Sequence, residues 1–313
     1  MAEKQIMSYI LIALLAYFVV AVEIIIDKFL LSSKRVSHPA VYAFYSGTMT
    51  AFVLFLVPLP KFHMIALPDI MMRIGAGIIF TYGILLLFYA FNKSEASRVM
   101  PVVGAIIPIV TFIISGLFFN EQLTMVQTFS VAILILGGLL ISFEIPLKVN
   151  KKRFFVGFYF SILAGVLLAI EASLFKYFSD SDNFLNVFAW TRFGVVLGAL
   201  SLLFVPLWRR YIFKSFQGSP HKERRNQITG IMFVLTKILG GVGSILTKFA
   251  ITLGSVTIVN AMVSTQYVFI LLIGFLMSFM YPKVFQEKRD ALVMGQKIVS
   301  IAIISLGIIL ISK

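Results

Sequence analysis

The chain has 313 residues, 60% hydrophobic and 13% charged, with 27 Lys and Arg against 13 Asp and Glu for a net charge of +14. Soluble domains carry about a quarter charged residues, so these are too few to cover a water-facing fold of this length, and 32 Phe exclude disorder. The absence of cysteine excludes disulfide frameworks, thiolate metal sites and cysteine nucleophiles.

A bilayer-spanning helix needs about 20 apolar residues. Apolar windows divided by polar or turn-rich breaks predict ten of them, at 7–31, 40–58, 71–91, 97–119, 126–145, 154–178, 185–207, 228–251, 255–281 and 293–312. The runs are continuous rather than alternating, unlike barrel strands. The first runs on to Glu23 and Asp27 without a small-residue cleavage site, which predicts a retained helix and not a signal peptide. Ser37-His38-Pro39 opens the second span and Pro58-Leu59-Pro60 closes it. The fourth carries Pro101 and Pro108, which expose carbonyls on one helix face and mark a hinge or a kink. Arg192 lies near the start of the seventh, within reach of the interface, and Pro206 ends that span. The eighth holds Lys237 ahead of Gly240-Gly241-Val242-Gly243-Ser244, where small residues let helices approach or bend around a cavity.

Connections after odd-numbered spans hold Lys34, Arg35, Lys93, Arg98, Lys148, Lys151, Lys152, Arg153, Arg209, Arg210, Lys214, Lys222, Arg224, Arg225, Lys283, Lys288 and Arg289. The opposite side has Lys4, Lys61, Arg73 and Lys313. The excess of Lys and Arg on cytoplasmic loops therefore puts both termini outside. Read this way, the basic tract from Arg209 to Arg225 is a solvated, lipid-facing loop and calls for no nucleic-acid partner.

The sequence also repeats at half length. Ala21-Val22-Glu23-Ile24-Ile25-Ile26-Asp27-Lys28 in the first span matches Ala169-Ile170-Glu171-Ala172-Ser173-Leu174-Phe175-Lys176 in the sixth. Val41-Tyr42-Ala43-Phe44 matches Val187-Phe188-Ala189-Trp190, and the fifth and tenth spans close alike around Gly137 and Gly307. Five spans is an odd number, so the second copy enters the membrane the other way up. The fold class expected is an all-α integral membrane protein of ten transmembrane helices in two inverted five-helix repeats, over 1–147 and 152–313.

The first copy reads Glu95-Ala96-Ser97-Arg98-Val99-Met100-Pro101, then Ile107-Pro108-Ile109-Val110-Thr111, Asn120-Glu121-Gln122-Leu123-Thr124 and Gly137. It resembles the EamA domain of the drug/metabolite transporter superfamily, with its mid-helix proline, Glu-x-Leu-Thr turn and late glycine. The second copy departs from the pattern, with Val268 at the proline position and a longer connection from Tyr281 to Gln296 containing Pro282. The resemblance implies a ten-helix carrier of small polar or amphiphilic metabolites. It also implies cytoplasmic termini, against the charge count, and we follow the charges of this sequence.

Charges within the bilayer cost about 2.5–3.5 kcal/mol each on insertion scales and mark functional positions by default. The candidates are Glu23, Glu171, Arg192, Lys237 and Lys248. Burial raises a carboxyl pKa and a neighbouring cation lowers it, so a glutamate balanced between them can exchange a proton for substrate. The alternative for both glutamates is structural pairing with Lys or Arg. Lys237 either binds a substrate carboxylate or phosphate or neutralises Glu171. Asp27, Lys28 and Lys176, nearer helix ends, are expected to snorkel. By the same resemblance Tyr82, Tyr89, Trp190 and Tyr267 line a cavity, where aromatic rings hold cations; we select Tyr82, Trp190 and Tyr267.

There is no phosphate-binding Gly-x-x-x-x-Gly-Lys loop, so direct ATP drive is not expected. His38, His63 and His221 are too scattered for a metal cluster. No cofactor and no enzymatic activity are expected. The sequence thus predicts a secondary transporter in the cell inner membrane, exporting an amino acid, amine or drug-like cation by alternating access. Glu23 and Glu171 are the expected proton carriers, and the chain works as a monomer or a homodimer. The alternative cargo is a lipid-linked intermediate or headgroup, which would make the protein a flippase.

Overall fold

Without water to satisfy it, a backbone in lipid must bond to itself, and a single continuous apolar segment does so only as a helix. The computed structural model describes residues 2–31, 38–56, 59–93, 96–119, 121–142, 151–216, 223–280 and 291–311, and these are helical apart from short connections. In order they form α1 (Ala2–Leu31), α2 (Pro39–Thr48) continued by a 3₁₀ stretch (Met49–Leu56), α3 (Leu67–Lys93), α4 (Ala96–Phe118) and α5 (Met125–Ser142). The second half holds α6 (Lys151–Ser181), α7 (Phe184–Ser201), a 3₁₀ turn (Leu202–Phe204), α8 (Pro206–Phe216), α9 (Glu223–Leu253), α10 (Val256–Ala261), α11 (Val263–Met280) and α12 (Ala291–Ile311). Among the described residues nine stretches are long and apolar enough to cross a membrane.

Nine of the ten expected spans are recovered among the described residues, the second not being one of them, and there are three departures. The second is not one α-helix: it changes to 3₁₀ at Met49. There the Thr48 hydroxyl donates to the Phe44 carbonyl and the Thr50 hydroxyl to that of Gly47, and such back-bonding bends helices. The ninth is divided at Met262 between α10 and α11, where the Ser264 and Thr265 hydroxyls donate to the Ala261 and Met262 carbonyls. The seventh runs on through the 3₁₀ turn to Phe204, and Arg209–Lys214 of the basic tract belong to a helix, α8, rather than to a loop. Pro58 and His221 lie outside the described residues, as do Lys34, Arg35, Lys148, Lys222, Lys283, Lys288 and Arg289.

The helix starts are written locally. Pro39 occupies the first turn of α2, and His38 Nδ1 accepts from the Ala40 N–H at 3.2 Å. Burial lowers the His38 pKa, which favours the neutral ring that this acceptance requires. Thr124 and Gln127 cap α5 reciprocally, and Asn183 and Ser255 cap α7 and α10 through the Asn186 and Ile258 N–H groups.

Small residues set the packing. α3 and α7 run parallel, with Gly194 against the backbone of Ile74 and Gly198 against Ile78 and Thr81. α1 and α9 run antiparallel: Gly240, Gly243 and Gly254 meet Glu23, Val20 and Tyr9 in turn. α5 and α12 cross antiparallel where Gly137 meets Ile304 and Gly307 meets Leu134. One end of the bundle accordingly gathers the first turns of α1 with the α2–α3, α4–α5, α6–α7 and α9–α10 connections. The other gathers His38, the last turn of α3, and α8. Between them the main core is built on Ile10, Leu134, Phe175, Ile251, Ile258 and Met262.

Candidate transport site

α9 carries two lysines eleven positions apart, Lys237 and Lys248, about three turns and about 16 Å of helix rise. Each reaches a glutamate on a different helix. Lys237 Nζ lies 3.7 Å from Glu23 Oε1 on α1 and donates to the Tyr42 hydroxyl on α2 at 2.8 Å. It also sits over the Tyr42 ring, 4.9 Å from the centroid. Gly240, one turn further along α9, lies directly against the Glu23 carboxylate, so the absence of a side chain there makes room for the acid. Phe88 of α3 packs on the Tyr42 ring at 4.3 Å.

The second pair is tighter and more enclosed. Lys248 Nζ donates to Glu171 Oε2 at 2.5 Å, and their side chains are 8% and 6% exposed against 15% and 16% for Lys237 and Glu23. This corrects the alternative that Lys237 neutralises Glu171: Lys248 does so, and Lys237 lies beside Glu23 instead. A second correction concerns Arg192, which does not reach an interface. It is 5% exposed, donates to Ser244 Oγ at 2.6 Å and lies over the Phe188 and Phe80 rings at 4.8 and 5.3 Å. Its charge interacts with Glu171, so Glu171 answers to cations from both α9 and α7.

The aromatic candidates are dispersed. The Tyr82 hydroxyl is 3.0 Å from Ser201 Oγ. Tyr267 is buried and donates to the Met100 carbonyl at 2.8 Å, filling the space left by Gly104. Trp190 packs on Phe62 and Phe193, and its buried indole N–H finds no acceptor among the described residues. Tyr89 accepts a hydrogen bond from Trp208 of α8 and stacks on Phe160. Lys176 pairs with Asp180 one turn on, at 2.9 Å, while the side chains of Asp27 and Lys28 lie outside the described residues. Pro101 and Pro108 sit inside α4, and the Thr111 hydroxyl satisfies the Pro108 carbonyl.

Three features escaped the sequence reading. Tyr42 is one, although it stood inside a matched repeat motif. Ser244, the acceptor for Arg192, is another. The third is a polar corner where α3, α6 and α7 meet: Arg73 Nη1 donates to Asp182 Oδ2 at 2.7 Å, Asn186 Nδ2 donates to the same oxygen at 2.7 Å, and His63 Nε2 lies 3.6 Å from Oδ1. Burial works to raise the Asp182 pKa, but the hydrogen bonds from Arg73, Asn186 and the Asn183 N–H, with the Arg73 charge, hold it below its ordinary value. Arg73, counted with Lys4, Lys61 and Lys313 on the less basic side, is buried.

Residues 7–143 match the sequence profile of the EamA-like transporter family. Over 93 residues the chain is 34% identical to an uncharacterized protein of Methanocaldococcus jannaschii, covering 29% of this chain and 67% of that one. The fold is similar to a solved crystal structure over 97% of this chain and 95% of the other, with a TM-score of 0.66. At 14% identity that likeness speaks for the fold alone.

Proposed function

We propose, from the match of residues 7–143 to the EamA-like transporter family, a secondary transporter centred on Glu23, Lys237 and Tyr42. The observation that carries the reading is the ion pair between α1 and α9, set among apolar helices yet less enclosed than Glu171–Lys248. An intramembrane ionic group that keeps some access is suited to exchanging its protein partner for a ligand. The substrate is a small polar or amphiphilic metabolite, such as an amino acid or an amine. A proton on Glu23 removes its negative charge from beside Lys237, whose charge then attracts an anionic group of the substrate, and loss of that proton restores the pair and expels the cargo. The Tyr42 hydroxyl and the Tyr42 and Phe88 rings give the other end of such a molecule an aromatic wall.

Alternating access fits two inverted halves, residues 1–147 and 152–313, that carry ten crossings between them. Two contacts support the symmetry. Gly83 of α3 packs on Leu168 of α6, and Gly243 of α9 packs on Val20 of α1. Val20 precedes Glu23 by three positions and Leu168 precedes Glu171 by three, so the same glycine-to-helix contact occurs once in each orientation. Inverted halves of this kind repack to open toward either side.

The test is flux in proteoliposomes at several pH values. Candidate substrates are first selected from amino acids, amines and carboxylic acids by thermal stabilisation. Glu23→Gln is expected to flatten the pH dependence, and Lys237→Gln to abolish stabilisation by the selected class. An unchanged pH profile in Glu23→Gln overturns the proton coupling; unchanged stabilisation in Lys237→Gln overturns the site.

A further inference from the structure

α8 lies outside both the ion pairs and the residues matched by the family profile. Its eleven residues contain Arg209, Arg210 and Lys214 and no acid, and none of the three forms an ion pair among the described residues. Trp208, Tyr211, Ile212 and Ser215, spaced at one helical face, turn toward the protein. Trp208 Nε1 donates to the Tyr89 hydroxyl at 2.9 Å, Tyr211 stacks on His38 at 4.2 Å, Ile212 is fully buried and Ser215 Oγ lies 3.1 Å from the Tyr45 hydroxyl. The remaining face exposes the three cations together with Leu207 and Phe213. Extended backbone at Val205 separates α8 from the end of the α7 span, so the helix begins where a crossing segment leaves the hydrocarbon.

We propose that α8 docks on anionic phospholipid: Arg209, Arg210 and Lys214 take headgroup phosphates while Leu207 and Phe213 enter the acyl boundary of the same leaflet. Charge complementarity selects this occupant. An interfacial helix with aromatic and basic residues on its outer side gains from apolar burial and from attraction to anionic lipid together, whereas a zwitterionic surface supplies only the first. The packed face makes the docking matter to the rest of the molecule. Through Ser215 and Phe216, α8 rests on Tyr45 and Phe44 of α2, and α2 carries the Tyr42 that accepts from Lys237. This inference does not depend on the transport reading, and its test involves no substrate.

The experiment measures thermal unfolding of the full chain in mixed micelles containing phosphatidylglycerol or phosphatidylcholine, with glycerol phosphate as the soluble control. Phosphatidylglycerol is expected to raise the midpoint by several degrees over phosphatidylcholine, an increment that added salt erodes and that glycerol phosphate does not reproduce. R209Q/R210Q/K214Q should lose most of the increment, each single Gln variant part of it, and R209K/R210K should keep it. Equal shifts with both lipids, or an increment retained in the triple and single Gln variants, overturn the proposal. A shift with glycerol phosphate alone overturns the lipid assignment.

Discussion

Lys237 and Lys248 share a helix but answer to different acids, and the pairing has consequences that single substitutions separate. Removing one member of a buried pair typically costs about 3–5 kcal/mol, whereas replacing both by apolar groups of similar size is often neutral. Glu171→Gln should therefore lower the unfolding midpoint strongly. Lys248→Met added to it should recover much of the loss, and Lys237→Met should not; equal recovery by both lysine changes would refute the pairing. The Glu23–Lys237 pair is partly accessible, so breaking it should cost less, about 1–2 kcal/mol, while its effect on flux should be the larger of the two. Gly240→Ala tests the same site from the other side. A Cβ at that position collides with both carboxylate oxygens of Glu23, so the acid must swing away or α9 must back off from α1. A loss of about 1–3 kcal/mol is expected, relieved when Glu23 is shortened to Ala; no relief would mean that the clash lies elsewhere.

At the scale of elements, the sequence was informative where a property repeats along the chain and silent where it depends on a single neighbour. Apolar length placed α1, α3, α4, α5, α6, α9 and α12 close to their observed limits. It missed the 3₁₀ continuation of α2 and the divided ninth span because hydroxyl side chains decide those positions by competing for backbone carbonyls, and composition does not register that competition. Three cations in the short segment of α8 resemble a solvated connection, whereas its packed stripe of Trp208, Tyr211, Ile212 and Ser215 shows only against Tyr89, His38 and Tyr45. Among the candidate site residues Glu23, Glu171 and Lys237 were legible as rare intramembrane charges, but which lysine meets which glutamate depends on how α9 lies against α1 and α6. The α3–α6–α7 corner yields a prediction of its own. Asp182 titrates below its ordinary value in the folded protein, so the fold binds fewer protons there than the unfolded chain. Its stabilisation is complete above the unfolded carboxylate range and fades as pH falls through that range toward the lower folded value. Asp182→Asn should lower the midpoint at neutral pH, by an amount corresponding to about 2 kcal/mol, and should converge on the parent protein in acid. A constant difference across pH would show that the charge of Asp182 is not what holds the corner.

For the molecule as a whole, the arrangement of ends turns the charge count into a testable orientation. α1 and α9 are antiparallel, α9 leads into α10 where Gly254 packs on Tyr9 of α1, and Phe184 at the head of α7 packs on Phe249 of α9. The first turns of α1, the Asp182 corner and the loop bearing Lys61 therefore share one end. Gln296 of α12 donates to the Leu140 carbonyl of α5, which sets the start of α12 at the α8 end and its finish beside the start of α1. Arg209, Arg210, Lys214 and Lys93 gather at the α8 end, whereas at the opposite end Arg73 and Lys176 are neutralised by Asp182 and Asp180. An excess of uncompensated basic residues faces the cytoplasm, so the α8 end should lie inside and both ends of the chain outside. Because the sequence has no cysteine, introduced thiols report without background. In intact cells, Lys61→Cys should react with a membrane-impermeant maleimide, and Lys214→Cys should react only after permeabilisation. The reverse pattern would place the termini in the cytoplasm and show that family habit, not the basic loops, governs insertion.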